Sequence, residues 1–147
     1  MNKDILNFSL AWRWTQESHN VFPDSILEQL QPLDADTASQ LNEQHLSCFD
    51  GFYLNRELFS SIQSVDNEGS FSTFLTELDI EDITPIYLSW NADTALKTTW
   101  GIFRQYWDDF CYPASDDVTI SPENMEWLLF YFHEDIFEFG IGKRKII

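Results

Sequence analysis

Apolar positions along the first half of the chain come in short, broken runs. Phe8, Leu10, Trp12 and Trp14 alternate with Ser9, Ala11 and Arg13, a period of two that predicts a strand over residues 7–15. Ser25-x-x-Glu28 has the form of a capping box, and Ile26, Leu27 and Leu30 predict a short helix that Pro32 stops. Thr37-x-x-Gln40 offers a second start, with Ala38, Leu41 and His45 on one face of a helix to about Ser47. Phe49-Asp50-Gly51-Phe52 reads as a turn. A third helix is expected from Asn55 with Leu58, Phe59 and Ile62, and a fourth from Ser70 with Phe71, Phe74, Leu75 and Leu78.

The second half is more regular. Ile83 to Trp90 is rich in β-formers and predicts a strand. Asn91 or Asp93 then caps the longest expected helix, at about 93–110. Its Leu96, Trp100, Phe103, Trp107 and Phe110 step by four and three along one stripe. Val118 to Ile120 predicts a short strand. Glu126 to Phe132 and Ile136 to Ile141 predict a hairpin turning at His133-Glu134-Asp135, with the doubly apolar first arm as a central strand. The expectation is an α+β domain: an antiparallel sheet of four or five strands with the 93–110 helix across one face. At 147 residues, one globular domain over 1–147 is expected, with a short basic tail at 143–147.

Charge changes the picture most. The chain carries 25 acids against 8 bases, net −17, and three of those bases lie in the last five residues. Such a field repels nucleic acid and anionic membranes and attracts basic proteins. General solubility, or a salt-adapted source, would also account for it. No apolar run is long enough to span a membrane and the N-terminus is too polar for a signal peptide, so the cytosol is expected. Cys48 and Cys111 lie among apolar neighbours and are expected to be buried, reduced thiols.

No motif supplies a nucleophile with its base, a metal-ligand set or a phosphate-cradling loop. A non-enzymatic protein without metal or cofactor is therefore expected. Asp108-Asp109 sits where a helix C-terminus disfavours acids, and Asp116-Asp117 follows in the next loop. Tyr106 and Tyr112 flank the first pair. Acids beside aromatics suit a basic, Arg-rich protein partner. The expected partner-binding residues are Tyr106, Asp108, Asp109, Tyr112, Asp116, Asp117, Glu134 and Asp135. A minor alternative makes Asp116, Asp117, His133 and Glu134 a metal-dependent catalytic group.

Trp107-Asp108-Asp109-Phe110-Cys111-Tyr112-Pro113, Ser115-Asp116-Asp117-Val118, Phe130-Tyr131-Phe132-His133-Glu134 and Phe137-Glu138-Phe139-Gly140 form a recognisable block. Within 100–142 it resembles small proteobacterial proteins, some in families of unknown function and others similar to immunity proteins of polymorphic-toxin and contact-dependent inhibition systems. The resemblance implies a cytosolic protein that binds one toxin domain and occludes its active site or substrate surface. A basic nuclease is the expected toxin. An acidic nucleic-acid mimic or regulatory adaptor is the alternative.

Overall fold

The computed structural model describes residues 3–66 and 68–143. The basic tail expected at 143–147 therefore lies, beyond Lys143, outside the described residues. In chain order the elements are α1 (Lys3–Leu6), α2 (Trp12–Thr15), α3 (Asp24–Leu27), β1 (Gln31–Pro32), α4 (Ala35–Leu46), β2 (Phe49–Asp50), β3 (Tyr53–Leu54), β4 (Phe59–Val65) and α5 (Phe71–Glu77). They continue with β5 (Pro85–Asn91), β6 (Thr94–Thr99), α6 (Trp100–Phe110), β7 (Val118–Pro122), β8 (Trp127–Phe132) and β9 (Ile136–Gly142).

The fold is α+β, built on a seven-stranded antiparallel sheet in the order β1-β6-β5-β7-β8-β9-β4. Because side chains alternate along each strand, the sheet has two working faces. Ile86, Leu88, Leu96, Val118, Ile120, Leu129, Tyr131 and Phe137 share a buried cluster with Trp14, Phe71, Trp100, Phe103 and Phe110 from the helical segments. On the opposite face α4 lays Ala38 and Leu41 against Ala95. There Cys48, Leu54, Phe59, Met125 and Leu128 form a smaller cluster under the β2–β3 hairpin. Gly140 is needed beside that cluster: a Cβ on it would lie 2.5 Å from the Phe59 ring.

Several expected elements differ. Residues 7–15 are not a strand. Ile5, Phe8, Ala11 and Trp14, buried or half-buried at a step of three, lie on one side of a series of turns, in which the amides of Phe8, Ala11 and Trp14 bond back to the carbonyls of Ile5, Phe8 and Ala11. Trp12 consequently points to solvent while Trp14 is buried. Where a helix is expected from Asn55, the chain instead forms β4 from Phe59, an edge strand on β9 that Phe59 and the β-branched Ile62 and Val65 suit. The helix near residue 25 begins at Asp24 after Pro23, with no side-chain cap bond, and Asp34 rather than Thr37 caps α4, accepting from the Thr37 amide at 2.8 Å.

The long helix is also shorter than expected. Residues 94–99 form β6, and α6 begins only at Trp100 and kinks at Tyr106. The Asn91 side chain accepts from the Asp93 amide at 2.9 Å, so it closes a hairpin turn instead of capping a helix. Threonines 94, 98 and 99 suit a strand. The first amides of α6, at Trp100 and Gly101, donate to the Thr84 and Asp82 carbonyls, each at 2.9 Å. Tertiary partners thus replace the local cap. The sheet has seven strands instead of four or five because β1, β4 and β6 join it. The 133–135 hairpin and the interior position of β8 match expectation.

Candidate functional site

Asp116 and Asp117 are the two residues that lead into β7, and their side chains go to opposite sides. Asp116 goes inward. It is 6% exposed and forms a two-pronged ion pair with Arg13, at 2.6 and 3.0 Å. It also accepts from the Tyr112 amide at 2.9 Å and the Ser115 hydroxyl at 3.3 Å. The Arg13 guanidinium lies 3.8 Å from the centre of the Tyr112 ring. Asp116 is therefore a structural acid that ties the N-terminal segment to the loop after α6. The expectation that it meets a partner is corrected on this point.

Asp117 goes outward. Its Oδ1 accepts from the backbone amide of His133 at 3.0 Å and from His133 Nδ1 at 2.9 Å. A carboxylate only accepts, so Nδ1 carries the proton. Oδ2 makes no hydrogen bond among the described residues. This carboxylate stands at the wall of a groove on the α4 side of the sheet.

The groove is made by the β2–β3 hairpin and the end of α4 standing over β8. Its volume is about 180 Å³, and Leu46, Phe49, Phe52, Trp90, Asp117, Phe130 and Phe132 contribute to its lining. A second cavity of about 40 Å³ shares Phe52, Phe130 and Phe132 and adds Tyr53, Glu134, Ile136 and the buried Glu138, which accepts from the Leu54 amide at 3.2 Å and the Ser64 hydroxyl at 3.3 Å. Phe49 packs edge-on against Phe130 at 4.8 Å. The two-residue loop of the hairpin starts at Gly51, φ +67°, which suits glycine at the first turn position. That turn throws Phe52 outward, 75% exposed, beside Tyr53 at 64% and Leu46 at 60%. Exposed aromatics grouped around a concavity mark an interaction surface.

The other expected residues are divided among several places. Asp108 is exposed. Asp109 is half-buried and accepts from the Asn20 amide at 2.9 Å; burial raises its pKa against that bond, and Asp108 adds to the rise. Tyr106 packs on Phe22 at 4.7 Å. Tyr112 is half-buried under Arg13, and its phenol pKa is raised chiefly by burial. Asp135, at φ +67°, closes the β8–β9 turn and accepts from the Tyr131 hydroxyl at 2.6 Å, so it serves the turn. Of the eight, Asp117 lines the aromatic groove and Glu134 the smaller cavity beside it. The sequence reading passed over Leu46, Phe49, Phe52, Tyr53, Phe130 and Phe132. Their one legible signal was the Phe49–Tyr53 turn, too apolar for a solvated loop.

Most of the cations in the described structure are already matched. Arg13 pairs with Asp116, Lys97 with Glu123 and Arg104 with Asp82. Among the described residues, no group of three or more His, Cys, Asp or Glu side chains is arranged to hold a metal ion, the 133–135 turn included. Cys48 and Cys111 are buried and unpaired; burial raises both thiol pKa values.

A Ser–His pair does occur. His45 Nε2 lies 2.8 Å from Ser121 Oγ, with both residues buried. Neither lines the groove, and His45 Nδ1 has no hydrogen-bond partner among the described residues. Burial lowers the His45 pKa to about 3. The unfolded imidazole protonates near 6.5, so the unfolded state binds the extra proton first and stability falls as pH drops from about 6.5 toward 3. At pH 5 this group alone should cost about 2 kcal/mol relative to pH 7. In urea unfolding, His45→Gln should lose much of that difference. An equal pH dependence in both proteins would place the acid sensitivity elsewhere.

An antiparallel-sheet α+β protein with an acid-rimmed aromatic groove is the class that fold and site define. Residues 60–140, more than half of the chain, match the model of a family described as a protein of unknown function (DUF2947). The chain belongs to that family. The matched stretch runs from β4 into β9 and holds Asp117, Phe130, Phe132 and Glu134, while Leu46 and the β2–β3 hairpin precede it. No curated protein matches the sequence.

Proposed function

We propose that this chain is a non-enzymatic binding protein that docks a basic protein domain on the face around Leu46, Phe52, Tyr53, Asp117 and Glu134. The observation that carries this reading is the aromatic groove, opening beside exposed Phe52 and Tyr53 and edged by two acids in a chain of net charge −17. Desolvated aromatics supply the affinity of such a contact, and the charge speeds encounter and rejects anionic partners. In its specific form, which rests on the sequence resemblance, the protein is a cytosolic, single-domain immunity protein that occludes a basic nuclease toxin.

The test is calorimetry and surface plasmon resonance against the toxin domain encoded beside this protein. Asp117→Lys with Glu134→Lys should weaken a nanomolar complex at least about tenfold, since like charges in a contact cost more than about 1.4 kcal/mol. Association should slow as salt rises. Both side chains are exposed, but Asp117→Lys gives up the two bonds from His133, so a small fall in melting temperature is expected and Glu134→Lys alone is the control for the fold. Affinity indifferent to the substitutions and to salt would overturn the assignment of this face. Absence of any complex with that domain would overturn the immunity function.

A further inference from the structure

We infer that the aromatic groove is a receptor for one arginine side chain of the partner; this rests on the binding function proposed above and names the group recognised. Its aromatic walls are Phe49, Phe52, Trp90, Phe130 and Phe132, and its single charged wall is Asp117. At about 180 Å³ the space is a recess in the surface and not a cleft for a folded element. Ring faces attract a cation through their quadrupole, and a guanidinium suits them better than an ammonium because it is planar and more weakly hydrated.

Asp117 is prepared for that role. Two hydrogen bonds from His133 fix one carboxylate oxygen, and Oδ2 is left without a hydrogen bond among the described residues. His133 is thus a positioning residue. The protein already solves the same problem internally, a few residues away. Arg13 is held with its guanidinium 3.8 Å from the Tyr112 ring centre and its nitrogens on the Asp116 carboxylate. Ring plus aspartate holds an arginine there, and the groove repeats that combination facing outward with no cation of the described residues in its lining.

The test is two-dimensional NMR of the full chain, titrated with N-acetyl-arginine methylamide, N-acetyl-lysine methylamide and uncharged N-acetyl-norleucine methylamide. The arginine probe should shift Gly51, Phe52, Asp117 and Phe132 saturably, with affinity of about millimolar order for so small a ligand. Lysine should bind more weakly, and norleucine at least about tenfold more weakly. Phe52→Ala, chosen because Phe52 is exposed and its loss leaves the core intact, should weaken arginine binding several-fold, as should Asp117→Asn. No saturable shift at the groove, norleucine binding as well as arginine, or indifference to both variants would overturn the receptor. If a basic domain binds and responds to Glu134→Lys but not to Phe52→Ala, the docking face stands and the arginine receptor falls. If arginine is captured while no basic domain binds, the receptor stands and the docking function falls.

Discussion

Trp100→Ala should destabilise the protein by about 3–5 kcal/mol, a large share of a typical domain's stability. Trp100 opens α6 and is fully buried against the sheet. Its ring packs on Phe103 at 5.7 Å and on Trp127 of β8 at 5.6 Å, so truncation leaves a cavity between layers that cannot close without moving the helix. Its indole nitrogen has no hydrogen-bond partner among the described residues. Trp100→Phe removes that unpaired donor while keeping an aromatic ring, so it should cost much less than alanine. Denaturant unfolding monitored by circular dichroism measures both. If Trp100→Ala unfolds at the same midpoint as the parent, α6 does not carry the core as described.

Breaking the Arg13–Asp116 pair should have an effect of similar size. The two side chains are 6% and 7% exposed, and removing one leaves the other as a buried charge, at a cost of about 3–5 kcal/mol. Arg13→Met strands the Asp116 carboxylate. Asp116→Asn keeps an acceptor for the Tyr112 amide but leaves the guanidinium unmatched. Replacing both residues by apolar ones should cost less than either single change. Urea midpoints of the three variants separate these outcomes. Single variants as stable as the parent would mean that the N-terminal segment is not anchored through this joint.

The same joint shows why the neighbouring acids do not form one surface. Asp108, Asp109, Asp116 and Asp117 are neighbours in sequence, and charge alone makes them one acidic patch. Whether a carboxylate faces water depends on which side of a strand it enters and on whether a distant cation reaches it. Arg13 is 103 residues from Asp116. No local pattern announces such a pair, and the outward direction of Asp117 becomes visible only when β7 has a sheet to belong to.

Determined by the sequence itself were the α+β class, the α4 helix, the α5 helix, the strand at β5 and the β8–β9 hairpin around His133-Glu134-Asp135. In these segments the local period, the turn residues and the final burial agree, so short-range preference and tertiary packing select the same state. The tertiary structure alone decided the rest. It turned residues 94–99 into β6, because pairing with β5 and a helix start satisfied by Thr84 and Asp82 outweigh a helical stripe. It made β4 an edge strand by offering β9 as a partner. It also assembled the aromatic groove from Leu46, Phe52, Phe132 and Asp117, which lie far apart in the chain. Helical stripes and turns are read from neighbours a few residues away, whereas sheet pairing, ion pairing and concave surfaces depend on contacts that close long loops, and a linear pattern carries no record of those.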